Sequence, residues 1–146
     1  MTREARRLAL LRRQSLIAEV ARKQALRTLA EALESEARGA ALAQRSRALV
    51  AASAPAPGLT TGAAFQGRST FTAGLAQLAL NAAEAAEDAA RQRAWAGETL
   101  TRAETRSRRL AEMTAEARSA VAAVAARREA GHAAPLARKL HRPRND

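Results

Sequence analysis

The sequence predicts an all-α fold: a long two-helix antiparallel coiled-coil hairpin followed by a disordered basic C-terminal tail. Three observations carry this. Every seventh residue from Leu75 is apolar, through Ala82, Ala89, Ala96, Ala103, Leu110, Ala117 and Val124, and the frame never slips. A second ladder of Leu11, Ala18, Ala25, Ala32 and Gly39 runs near the start of the chain. Between them lies Ser53-Ala54-Pro55-Ala56-Pro57-Gly58, which ends a helix because proline lacks the amide proton and restricts the residue before it. A strict seven-residue repeat holds one stripe against a partner only if the helices supercoil left-handedly. From Phe71 to Val124 such a helix is roughly 80 Å long, beyond the ordinary globular helix.

Composition agrees. The 146 residues suffice for one domain, and they include 42 Ala but only two Phe, one Trp and no Tyr. Alanine is the best helix former and a poor core former, so a globular core of ordinary thickness has little to fill it. This is the composition of a long coiled coil. The absence of Cys excludes disulfides and thiolate metal sites, and fits a reducing compartment.

The net charge is +11, and 23 of the 25 basic residues are Arg. Residues 1–52 are net +6, residues 53–68 add +1, residues 69–131 add +1 and residues 132–146 add +3. The excess at the two chain ends points to an acidic partner at one end of a rod, whether nucleic acid, anionic lipid or an acidic protein surface. The basic start could pass for a targeting segment. Its apolar run, Leu8-Ala9-Leu10-Leu11, is too short for a signal peptide, and because the helical pattern continues past it a transit peptide is only a minor alternative. No stretch approaches the ~20 apolar residues of a membrane span, so the expectation is a soluble protein.

In chain order, the first helix covers residues 4–52. Leu8 and Leu29 fill the companion seam position, which Ser15, Arg22 and Glu36 spoil. Leu10, Ile17 and Val20 lie on another side and either widen the buried stripe or form a second partner surface. Gly39 weakens the helix by about 1 kcal/mol relative to Ala and allows close helix approach. Residues 53–68 form a loop. The second helix covers residues 69–131, capped by Ser69 or Thr70 and ended by Gly131, with Arg127 and Arg128 suited to its dipole. Its companion positions are Leu78, Ala85, Gln92, Thr99, Arg106, Met113 and Ala120. Residues 1–131 thus form the hairpin, and 132–146 a basic tail in which only 136–140 suggests a helical turn.

Folding the helices together ladder on ladder pairs Leu11 with Leu110, Ala18 with Ala103, Ala25 with Ala96, Ala32 with Ala89 and Gly39 with Ala82. The same register sets Leu8 by Met113, Ala43 by Leu78 and Val50 by Phe71. Alanine layers bring the axes close but bury little surface, so the hairpin should be marginal and frayed at its free ends.

No catalytic, cofactor or metal constellation stands out. Gly62-Ala63-Ala64-Phe65-Gln66-Gly67-Arg68-Ser69 copies phosphate-loop spacing with Arg in place of Lys, but no strand feeds it. His132 and His141 have no helical ligand partner, and Glu84 with Asp88 is an ordinary i,i+4 pair on a solvated face. The expectation is a protein that is not an enzyme. Trp95, beside the seam residue Ala96, either packs across the partner helix or serves as an exposed anchor.

Two long helices over the whole chain, Arg-rich ends and a loose basic tail make the sequence resemble the FliJ-type proteins of the flagellar export apparatus and the related YscO-type injectisome proteins. Locally, Gly74-Leu75, Arg109-Leu110-Ala111-Glu112-Met113 and Glu116-Ala117-Arg118 look like that family's rhythm, while the lack of Tyr departs from it. The resemblance implies a stalk in a hexameric export ATPase, linked to an export gate protein and export chaperones. By position, it puts ATPase contact on Arg3, Arg6, Arg7, Arg12, Arg13, Arg127 and Arg128, and gate contact on Leu42, Leu49, Phe71, Leu75 and Leu78. It also implies a cytoplasmic protein, peripheral at the inner membrane through its partners. The rival classes are an Arg-rich binder of nucleic acid or an anionic surface and a structural coiled-coil dimer; the lack of stacking aromatics weighs against nucleic acid.

Overall fold

The computed structural model describes residues 2–54, 58 and 61–140, with residues 133–140 described by backbone alone. Two long helices, α1 (Arg3–Ala52) and α2 (Gly62–Leu140), pack against each other, and there is no strand among the described residues.

Local chemistry sets the helix ends. The Thr2 hydroxyl accepts the Ala5 amide at 3.2 Å and its carbonyl accepts the Arg6 amide at 3.1 Å, so Thr2 caps α1, with Glu4 in the first turn suited to the dipole. At the other end both the amide and the hydroxyl of Ser53 donate to the Leu49 carbonyl, at 3.0 and 2.7 Å. Helix α2 starts earlier than Ser69, because Thr61 caps it: its hydroxyl accepts the Ala64 amide at 3.3 Å and its carbonyl the Phe65 amide at 2.9 Å. The expected loop therefore loses residues 62–68 to the helix, while Pro55 and Pro57 lie outside the described residues. Gly131 does not end α2 either. No glycine adopts the left-handed conformation that closes many helices, and α2 runs on to Leu140. Residues 132–140 are helical rather than disordered, and 141–146 lie outside the described residues.

The chain divides into two compact units, Met1–Arg22 with Arg102–Asp146, and Lys23–Thr101. In the first, Leu8, Leu11, Ala18, Leu110 and Ala117 form a buried cluster with Met113 and Val121 packed against it. Thr114 donates to the Leu110 carbonyl at 2.6 Å, and the Ser15 hydroxyl, 3.0 Å from that of Thr114 and 3.5 Å from the same carbonyl, has its proton for Thr114; Ser107 donates to Glu19 at 3.3 Å. Contacts move down α2 as they move up α1, so the pairing is antiparallel. In the second unit Ala25, Ala43, Ala79, Ala82, Ala89 and Ala96 are buried. Arg93 meets Glu36 at 3.6 Å, and Gly39 lies against Ala86, again antiparallel.

The register differs from ladder on ladder by one helical turn. Ser15, not Leu11, meets the Leu110 carbonyl, and Gly39 meets Ala86, not Ala82. The second row that α2 turns inward is Ala79, Ala86, Leu100, Ser107, Thr114 and Val121, interrupted by the exposed Arg93; of the expected companion positions Leu78, Ala85, Gln92 and Arg106 are exposed, while Thr99, Met113 and Ala120 are half-buried and Met113 packs on the core. Polar satisfaction explains the choice. The ladder-on-ladder register would face Ser15 with Arg106 and Leu29 with Gln92. The observed one gives Ser15 a hydroxyl, Glu19 a donor and Glu36 an Arg, so half-buried polar groups keep partners. Among the described residues no large side chain is fully buried, and an Ala layer contributes less than a Leu layer would.

Candidate functional site

Two surfaces stand out, one in each unit. In the first unit, all seven arginines assigned to a binding end by the sequence (Arg3, Arg6, Arg7, Arg12, Arg13, Arg127 and Arg128) are exposed. The two acidic residues of the unit's α1 segment, Glu4 and Glu19, are half-buried instead. Arg22 holds Glu19 in a two-pronged bond at 2.7 and 3.1 Å, and the hydrogen bond and charge of Glu19 raise the Arg22 guanidinium above its ordinary pKa. Glu19 is thus paired with its own neighbour on α1. On α2 the packed stripe ends at Val124, and every residue from 125 to 132 is exposed. Arg127 and Arg128 therefore stand on a stretch of helix with no packed face.

The second unit holds the five residues assigned to gate contact. Leu42, Leu49, Phe71 and Leu78 are exposed, but Leu75 is half-buried in the inward row and is a packing residue. Leu42 and Leu49 each precede an inward-facing α1 residue (Ala43, Val50), as Phe71 and Leu78 precede Thr72 and Ala79 on α2. In an antiparallel pair, residues one step before an inward position lie on the same flank of both helices. The four exposed apolar side chains thus share one side of the unit.

Trp95 is 63% exposed, so it does not pack across α1. Near it in sequence, Leu29, Leu33, Arg93, Ala94, Gly97, Leu100 and Thr101 line a shallow groove of about 390 Å³. The sequence reading missed it; its one signal was Gly97, where a side chain would meet nothing.

Gly62 to Ser69 forms the first turns of α2, which rules out a phosphate-binding loop there. Among the described residues, no group of three or more His, Asp and Glu side chains comes together, and no helix is long and apolar enough to cross a membrane. No family model matches the chain, and no curated protein or solved structure matches it either.

Proposed function

We propose that the protein is a non-enzymatic antiparallel coiled-coil hairpin of a bacterial flagellar (type III) export apparatus. It acts in the cytoplasm as a stalk in the hexameric export ATPase ring, and links the ring to the export gate and to export chaperones. The observation that carries this reading is the division of labour between the units. Exposed arginines from both chain ends gather in one, and the apolar flank of Leu42, Leu49, Phe71 and Leu78 belongs to the other. A guanidinium fork suits carboxylates lining a pore, without base-specific contacts. The Ala seam supports it further, since small facing residues keep a two-helix body thin.

The test is recovery of the cognate export ATPase on the tagged protein, run beside a DNA titration at two salt concentrations. Recovery of the ATPase, with weak DNA binding, is expected. Tight DNA binding that falls steeply with salt, with no ATPase recovered, would replace this reading by the nucleic-acid one.

A further inference from the structure

The outer face of α1 in the first unit is not used by helix packing. Leu8, Leu11, Ser15 and Ala18 turn inward, and a helix advances about 100° per residue. Leu10 and Ile17, with Arg3, therefore form one outward row; Arg6, Arg13 and Val20 form the next; Leu16 lies beside them. Each of these side chains is exposed: Leu10 57%, Leu16 70%, Ile17 60% and Val20 64%. Four large aliphatic side chains facing outward over so short a length exceed the scattered apolar residues of an ordinary surface. Both acidic residues of this segment, Glu4 and Glu19, are half-buried, so the outward rows carry positive charge alone.

We infer that this face docks on an anionic lipid bilayer. Aliphatic side chains that are uncovered in the protein, interleaved with arginines and free of carboxylates, match the requirements of a helix lying in the membrane interface. There the apolar groups enter the headgroup and acyl boundary, while long basic side chains lay their stems along it and keep their charge at the phosphates. Arg6 and Arg13 sit among the aliphatics rather than along one edge. A fluid bilayer brings its headgroups to each guanidinium wherever it stands. Basic residues near an anionic leaflet also gain from its surface potential, independently of sequence. This goes beyond the stalk reading, which uses the arginines and leaves Leu10, Leu16, Ile17 and Val20 without a role.

The test is co-sedimentation of the full chain with vesicles of phosphatidylcholine alone and of phosphatidylcholine with roughly a third phosphatidylglycerol. Binding to the anionic vesicles only is expected. Leu10→Ser, Ile17→Ser and Val20→Ser together should lower partitioning at least about tenfold with helicity by circular dichroism unchanged. Ile17→Trp, which keeps the face apolar, should raise it. Arg127→Glu with Arg128→Glu should weaken ATPase recovery but leave partitioning within about twofold, so the two readings can fail separately. No sedimentation with either vesicle overturns the inference. So does equal partitioning of the triple variant, which would mean adsorption by charge alone. Loss of ATPase recovery by the triple variant, without any vesicle binding, would make this a protein-docking face instead.

Discussion

A Cβ on Gly39 would stand 3.4 Å from the Cα of Ala86 and 3.8 Å from its Cβ, so the two backbones are as close here as one added methyl allows. Gly39→Ala therefore fits in ordinary contact and removes the helix cost of glycine, about 1 kcal/mol. Its thermal midpoint should rise. Gly39→Leu has no such space and should destabilise by about 1–3 kcal/mol. A fall in midpoint for both variants would mean that the helices sit closer than this.

The same contact fixes the register. A separation of 3.8 Å between Cβ positions is within the range that a disulfide spans. In this Cys-free chain, Gly39→Cys with Ala86→Cys should oxidise to an intramolecular crosslink, seen as a mobility shift on non-reducing gels. Gly39→Cys with Ala82→Cys, the ladder-on-ladder pair, should not. The reverse pattern would restore the register that the sequence suggested.

That register was the part of the fold the sequence could not resolve. The two helices were legible because Pro55, Pro57 and Gly58 interrupt two unbroken seven-residue ladders. The register was not, because Ala18, Ala25, Ala82, Ala89 and Ala96 offer nearly the same layer to one another at several offsets. Leu78 and Met113 read as seam residues; Met113 does pack on the core, but Leu78 is exposed, and the buried Thr114 lies in the row the sequence does not mark. What tips the balance is hydrogen bonding by Ser15, Glu19 and Glu36, read in the sequence as defects of the seam or passed over. The helix ends were misjudged for a related reason. Gly67 and Gly131 look like breaks in isolation but stay helical. Of the candidate site, the gathering of the arginines was legible from the topology; the half-buried state of Leu75 and the exposure of Trp95 depend on register and were not.

Ser15 and Thr114 test the polar layer directly. Their hydroxyls are 3.0 Å apart, and Thr114 also donates to the Leu110 carbonyl at 2.6 Å. Thr114→Val removes one partner and should cost about 1–2 kcal/mol, whereas Ser15→Ala with Thr114→Val removes both and should cost less than the two single changes together. Additive losses in denaturant unfolding would show that the pair is not coupled.

Ala117 is 3% exposed and packs in the cluster with Leu8 and Leu11, while Ala115, two residues away, is exposed. Ala117→Glu buries a charge without a partner and should cost several kcal/mol, enough to unfold a marginal helix pair. Ala115→Glu should change stability by less than about 0.5 kcal/mol. Similar losses of helicity at Ala117 and Ala115 would remove the inward assignment of that row.

The proposed function separates into two independently removable contacts, because its residues fall in different units. Arg6, Arg7, Arg12 and Arg13 are exposed, so changing all four to Glu should leave helicity near that of the parent. In the stalk reading the same change reverses the charge offered to the ATPase and should abolish its recovery. On the other surface the informative pair is Phe71→Ala with Leu78→Ala, since both side chains are exposed on one flank. Leu75 is left intact because it is half-buried, and its loss would confuse binding with packing. This pair should retain the ATPase and weaken association with the gate. Each charge-reversed arginine should also lower the salt dependence of any residual DNA binding by about one log unit per log of salt for each phosphate it would have met. If the four-Glu variant keeps the ATPase and loses only DNA, the arginine end is an anionic-polymer site and the stalk assignment is wrong.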